Sequence, residues 1–389
     1  MMVLLIIILS FGYAYWTVQF LSALLILRKI KNLDDIPAKE HPLWPKISII
    51  IPARNEEKTI EPALKTKLHS TYPNLEIIVV DDRSHDATPA ILNGLAQTDP
   101  RLRVITISEL PYDWMGKPYA MQQGFSASTG DWLLFTDADV FVSNQTLKKI
   151  ITFVTDNQCE FVTIIPEFWS KNFILDILFA HFLRTLSVAG RLWAVPNKQS
   201  KAAAGAGAFN FVNRSAFAKT GGFAWLKYEL VDDVALGQMM KKSGVSCAVL
   251  NGRRHVGLYF YGSLKHAITA AERIVYTPLG KNPIVLSIMA CLIMIVETAP
   301  MIVFFSWSHY FILYASTLLF LLAAGTGIML NKWFGRSMVT AFFFPVHACI
   351  SAYSIARGVL CAYMHKGLIW RGRLYPADKL RQGSRLEFL

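Results

Sequence analysis

Met2–Leu27 contains no charged residue. A membrane helix needs about 20 apolar residues, so this run fixes one element at the outset: a helix that lies in lipid. A cleaved leader fits it poorly, because it has no basic start, no small-x-small cleavage signal and too long an apolar core. Residues 1–28 are therefore expected to be an N-terminal transmembrane anchor. Two further apolar blocks follow. Pro283–Leu330 carries one charge, Glu297, and is long enough for two transmembrane helices joined near Ser306-Trp307-Ser308-His309. Met338–Met364 is broken by Pro345, His347 and Arg357, so 338–364 reads as a transmembrane helix or as a re-entrant or interfacial one. Arg28, Lys29 and Lys31 close the first run. By the positive-inside rule that end faces the cytoplasm. The chain is thus expected to be multi-pass in the cell (inner) membrane, with its polar middle cytoplasmic. Four full crossings would place the basic tail, 365–389, outside, against the same rule. A re-entrant third block removes the conflict.

Of 389 residues, 17% are charged, against about 25% in soluble domains. The net charge of +12 fits Lys and Arg beside anionic headgroups. No nucleic-acid-binding motif accompanies it, so no nucleic acid partner is expected. Cys159, Cys247, Cys291, Cys349 and Cys361 show no metal spacing and read as small buried hydrophobes.

Residues 45–281 have the polarity of a folded domain. Lys46–Ile51, Leu75–Val80, Arg103–Ile107 and Trp132–Phe135 read as strands, the first stopped by Pro52. Thr59–Leu68, Thr88–Ala96 and Pro118–Ser128 read as helices between them, with Ile60, Ala63, Leu64 and Lys67 on one face of the first. That alternation predicts an α/β domain with a mostly parallel sheet covered on both faces. Ligands bind at the carboxyl ends of such strands. Here those ends carry Pro52–Glu57, Asp81–Ser84 and Asp137-Ala138-Asp139. Asp137 and Asp139, two apart on an extended backbone, project to one side. Taken alone they are a turn or a site for Mg²⁺ or Mn²⁺ with room left for phosphate oxygens. Three polar clusters at three strand ends favour a site. No GxGxxG follows the first strand and no GxxxxGK[ST] occurs, which disfavours dinucleotide-binding and P-loop sites.

Ile49–Glu57, Val79–Thr88, Gly116–Asp139, Gly205–Phe223 and Leu230–Gly244 resemble, in order and spacing, the motifs of the family 2 glycosyltransferases. Within that family the chain is similar to the membrane-anchored branch that glycosylates carotenoids, hopanoid-type lipids and ceramide. Trp370-Arg371-Gly372-Arg373-x-Tyr375 resembles a closing motif of that branch. The resemblance implies a GT-A fold over 45–281. It implies an inverting, metal-dependent transferase that moves one sugar from a nucleotide-sugar, a UDP-sugar, to a membrane lipid hydroxyl. A polysaccharide synthase or a polyprenyl-phosphate glycosyltransferase is the alternative within the family. The absence of a QxxRW motif speaks against the polymer.

The resemblance also implies roles. Pro52, Ala53, Glu57, Asp81 and Asp82 bind the donor nucleotide, although Asp81 and Asp82 also suit a turn. Asp137 and Asp139 hold Mg²⁺ or Mn²⁺, with Asp137 shared with the donor. Lys117 adds a positive charge against phosphate or sugar, or is a solvated loop lysine. Gly207, in Gly205–Phe209, lets backbone approach the donor sugar, or marks a tight turn. Arg273 adds charge to the diphosphate. Asp233 takes the position of the base, with Asp232 beside it and Glu229 a third candidate; the pair also suits the start of a helix over Val234–Lys242. Phe173–Trp193 suits either an interfacial helix beside the lipid acceptor or a buried helix covering the sheet.

Overall fold

The computed structural model describes residues 2–277, 282–306, 309–365, 367–370 and 373–387. Trp307, Ser308, Arg371 and Gly372, named above, lie outside these.

The chain starts as one helix, α1 (Met2–Lys29), whose first charges, Arg28 and Lys29, stand at its C-terminus, where the helix dipole favours them. After Ile30 it enters the sheet directly. The strands in chain order are β1 (Lys31–Asn32), β2 (Ile47–Ala53), β3 (Leu75–Asp82), β4 (Leu102–Ile107), β5 (Trp132–Phe135), β6 (Phe141–Val142), β7 (Phe161–Ile165), β8 (Glu167–Phe168), β9 (Asn210–Asn213), β10 (Cys247–Asn251), β11 (Val256–Leu258), β12 (Gly367–Trp370) and β13 (Arg373–Pro376). The main sheet has the order β1-β10-β7-β9-β5-β2-β3-β4, with β6, β11 and β8 forming a small second sheet. All main-sheet pairs are parallel except those of β9, which runs against both β5 and β7. The register pairs Ile49 with Ile77 on one side and Leu134 on the other. Burial on both faces explains why β2, β3 and β7 are near-continuous apolar runs.

β2 runs through Pro52 rather than stopping before it. Its pairing with β5 ends at Ile50 and Phe135, so on that side Pro52 has no ladder bond to break. The covering helices are α2 (Ile60–Leu68), α3 (Thr88–Thr98), α4 (Gly116–Ala127), α5 (Thr146–Asn157) and α6 (Phe173–Ala189). Two short helices, α7 (Arg214–Ala218) and α8 (Gly222–Trp225), precede α9 (Asp232–Lys242) and α10 (Leu264–Ala271). The α9 helix opens on the two aspartates, two residues earlier than expected.

Beyond the domain come α11 (Pro283–Thr298), α12 (Tyr310–Phe334), α13 (Phe344–His365) and α14 (Ala377–Gly383). Four helical stretches, Met2–Lys29, Pro283–Phe305, Tyr310–Phe334 and Phe344–Met364, are long and apolar enough to cross a membrane. The last does not start at the far end. After α12 returns to the domain, the chain doubles back along it: Thr340 sits on Asn331, Ala341 on Gly327, and Phe342 and Phe344 against Phe320. From there α13 packs along α11 and rejoins the domain side. Cys159 and Cys247 are buried as expected, but Cys291 and Cys349, on α11 and α13, are exposed on the helix surfaces.

The α6 helix packs between the domain, where Phe179 meets Phe168, and these apolar helices. Its Arg184, 2% exposed, donates twice to Glu297 of α11 (2.7 and 2.8 Å) and once to Gln19 of α1 (3.0 Å). The guanidinium also lies 4.7 Å from the Trp16 ring centre. Each charge alone would be costly in so apolar a setting; together they satisfy one another. Glu297→Ala is expected to destabilise the protein by about 3–5 kcal/mol, because it leaves Arg184 buried and unpaired. The double variant Arg184→Met, Glu297→Met should recover most of that loss in detergent unfolding curves.

Candidate active site

The carboxyl ends of β2, β3 and β5 open into a cavity of about 260 Å³. Its polar lining comes from Arg54, Glu56, Asp82, Lys117, Asp137, Asp139, Glu229, Asp232, His266 and Arg273. Its apolar and aromatic lining includes Met115, Leu230, Leu258, Phe260, Tyr261 and Tyr375.

Three chain segments are stitched together around Asp137. Beyond β5, the buried Thr136 hydroxyl donates to Ala208 O (2.7 Å), and Asp137 N donates to Gly207 O (2.9 Å). Gly207 N in turn donates to Asp233 Oδ2 (2.8 Å). The TDAD turn, the Gly205–Phe209 loop and the head of α9 are thus one hydrogen-bonded unit. Close approach requires its glycines. A Cβ at Gly205 would lie 1.8 Å from Asp233 O, and one at Gly237 would lie 1.9 Å from Ala204 O. Gly237→Ala is therefore expected to cost about 1–3 kcal/mol through overpacking and to push the Gly205–Phe209 loop off α9. A lowered unfolding midpoint would show it; an unchanged one would mean that the loop yields freely.

Lys117, at the start of α4, lies between two of these segments, 2.7 Å from Asp137 Oδ1 and 3.4 Å from Asp232 Oδ2. Burial pulls its pKa down, but Asp137, Asp232 and Asp233 outweigh it and hold the ammonium charged. Burial pushes the Asp232 carboxyl above the usual range; Lys117 opposes this, while Asp233 and Asp137 add to it. Asp139 is pushed up to about 6 by burial and by the Asp137 and Glu56 carboxylates. Behind them Lys67, 1% exposed, donates to Val140 O and Ala63 O. Burial lowers it to about 7, against the pull of Asp139 and Asp137.

Not every expected residue faces the cavity. Pro52, Ala53, Asp82, Lys117, Asp137, Asp139, Asp232 and Arg273 do. Glu57 does not: it is exposed, and its carboxylate accepts from Ala87 N (3.1 Å), clipping two loops together. Its neighbour Glu56 takes the place in the cavity wall. Asp81 turns into its own loop and accepts from Ser84 N (3.2 Å). Gly207 and Asp233 do not line the cavity: Gly207 lies against Asp137, and Asp233 lies against Gly207. Asp233 carries Gly207 N on one oxygen and Val234 N on the other. Glu229 touches the cavity, but hydrogen bonds occupy its carboxylate. Sequence reasoning assigned no role to Glu56, although it lies in the Pro52–Glu57 cluster, to Tyr375, although it closes the tail motif, or to Phe260 and Tyr261. Lys67 carried a signal, since a lysine on an apolar helix face must find buried acceptors.

A mainly parallel sheet with acidic clusters at its strand ends, backed by an antiparallel β9, is the GT-A arrangement. The mannosyltransferase PcManGT from Pyrobaculum calidifontis, solved in complex with GDP-Man and Mn²⁺, shares the fold, with a TM-score of 0.52 and 17% identity over 92% of this chain and 99% of that one. Residues 48–229, just under half of the chain, match the family model described as glycosyl transferase family 2, so the chain carries a domain of that family. Among curated relatives, the 4,4'-diaponeurosporenoate glycosyltransferase of Staphylococcus haemolyticus is 27% identical over 65% of this chain and 66% of its own length. The probable glycosyltransferase YdaM of Bacillus subtilis is 40% identical over 24% of this chain and 23% of its own. The beta-monoglucosyldiacylglycerol synthase of Synechocystis is 28% identical over 36% of this chain and 31% of its own. The chain thus matches from under a quarter to about two thirds of these relatives' lengths.

Proposed function

We propose that the chain is an inverting, metal-dependent glycosyltransferase that moves one sugar from a nucleotide-sugar, a UDP-sugar, to the hydroxyl of a membrane lipid at the cytoplasmic face. The observation that carries this reading is a cavity whose lining combines carboxylates and Lys117 with apolar and aromatic side chains, beside helices apolar enough to lie in lipid. Relatives named for a carotenoid acid and for a diacylglycerol support the lipid acceptor.

The donor set fits a hard divalent cation. It consists of oxygens only, and burial together with the Asp137 and Glu56 carboxylates holds the Asp139 carboxyl above its usual range. Among the described residues no group of three His, Cys, Asp or Glu side chains is placed to hold a metal by itself. Asp137 and Asp139 would hold the ion together with diphosphate and water oxygens. Bound there, Mg²⁺ or Mn²⁺ would supply charge neutralisation for the leaving diphosphate.

The chain's own groups do the rest. Lys117 places a fixed positive charge beside the departing phosphate. Asp82, anchored by Arg83 (2.8 Å), offers its remaining acceptor capacity to the nucleoside. The base comes from the Asp232–Asp233 pair: one carboxylate takes the acceptor's hydroxyl proton as that oxygen attacks the anomeric carbon from the face opposite the nucleotide. The resemblance puts this role on Asp233, whereas Asp232 is the member that faces the cavity. Partners of catalytic groups tighten only when substrate is seated, so variants decide between them. Arg28, Lys29 and Lys31 at the domain end of α1, and Lys379, Arg381 and Arg385 in the tail, support a cytoplasmic domain.

The test joins two measurements: calorimetry of UDP with Mn²⁺, and mass spectrometry of lipids from cells with and without the protein. A lipid heavier by one sugar is expected. A ladder of longer products would favour the polymer reading, and no UDP binding with no new product would overturn the assignment.

A further inference from the structure

After α13 the chain comes back to the domain. Residues 373–387 lie across two loops, the one before Lys117 and the one before Asp232. The Glu229 carboxylate, 2% exposed, is the main fastening. One oxygen accepts from Arg385 N (2.6 Å), Leu386 N (3.1 Å) and Ser384 Oγ (3.2 Å); the other accepts from Val231 N (3.2 Å), next to Asp232. Gln238, on α9, pairs with Glu387 in both directions: its amide donates to Glu387 O (2.6 Å) and accepts from Glu387 N (2.9 Å). At the opposite edge Lys379 donates to the Tyr112 hydroxyl (2.8 Å), in the loop that leads to Lys117. The two loops are themselves joined where Met115 N donates to Lys227 O (2.8 Å). Tyr375, 5% exposed, lines the cavity from the tail.

A buried carboxylate surrounded by amide donors is a tether, because losing it strands several donors at once. What it tethers is the segment that presents the acidic pair. We propose that the returning tail is a working part of the site, with Glu229 as a positioning residue that holds Lys117 and the Asp232–Asp233 pair in transfer geometry. The proposal rests on the glycosyl-transfer reading above. An error of about 1 Å in such a constellation costs about a hundredfold in rate. The tail therefore affects turnover more than donor binding.

Two full-length variants test this. Glu229→Gln removes acceptor capacity at the fastening. Gly383→Val lifts the tail, because a Cβ there would lie 2.2 Å from Tyr228 Cβ. Both should lower kcat for the lipid product about a hundredfold, while UDP–Mn²⁺ affinity changes less than about threefold. Amide hydrogen exchange should rise over 229–236 and stay unchanged in β2 and β3. Normal kcat in both variants, or unchanged exchange over 229–236, would overturn the proposal. So would loss of UDP binding with exchange rising across the sheet, since the tail would then merely support the whole fold. If the unmodified protein makes no product, the transfer reading fails, and the exchange result still decides whether the tail holds the loop.

Discussion

Asp139→Asn is expected to lower transfer on the order of a thousandfold and to abolish the Mn²⁺ dependence of UDP binding, with no loss of fold stability. The argument is electrostatic. Asp139 lies half-buried beside Asp137 and Glu56, and its carboxyl is held up at about 6. A cluster that resists its own ionisation gains from losing one charge, so the variant should unfold at the same temperature or higher. Loss of function alongside equal or better stability separates a ligand from a structural acid. UDP titrations with and without Mn²⁺, paired with unfolding curves, check both halves. Mn²⁺-dependent binding that persists in the variant would move the ion elsewhere.

The second large effect concerns the acidic pair at the head of α9. A positioned general base contributes about 10²–10⁴-fold, and amide replacement of the group that takes the proton should lose that much of kcat while leaving UDP binding intact. For the other member a different loss is expected. If Asp233 is the base, Asp232→Asn frees Lys117 from one of its two carboxylates and alters donor affinity first. If Asp232 is the base, Asp233→Asn weakens the bond to Gly207 N and loosens the loop on Asp137. Rate and affinity measured on both variants assign the proton; equal, near-normal turnover in both would exclude the pair.

Most of the central sheet was legible because burial on both faces leaves continuous apolar strands ending in charge. The convergence of Asp82, Asp137 and Asp139 followed from that pattern and from parallel topology alone. Finer placement was not legible. Strand periodicity says which residue ends a strand, but not which way the loop beyond it turns, so Glu57 was expected where Glu56 stands. The left-handed backbone at Asn55 and Arg83 sets those turns and leaves no periodic mark. The start of α9 at Asp232 was hidden because two adjacent acids suit a loop and a helix head equally. Arg184 and Glu297 each stand out in apolar sequence, but 113 residues separate them, and pattern alone does not pair residues at that distance. The tail's hold on Glu229 is made largely to backbone amides, which every residue possesses, so no side-chain signature announces it.

A single residue, Ile30, separates α1 from β1, and β1 is already paired with β10 through Lys31 and Leu250. A membrane helix joined to a sheet with no slack acts as a rigid post. On the proposed reading, the site works at one height above the bilayer and cannot dip to meet an acceptor. Acceptor choice then becomes partly a matter of reach: a lipid qualifies by how far its hydroxyl stands proud of the surface, before any side chain inspects its chemistry. Inserting a few glycines after Lys29 would give that ruler play, and should broaden the range of lipids accepted while slowing turnover on the native one.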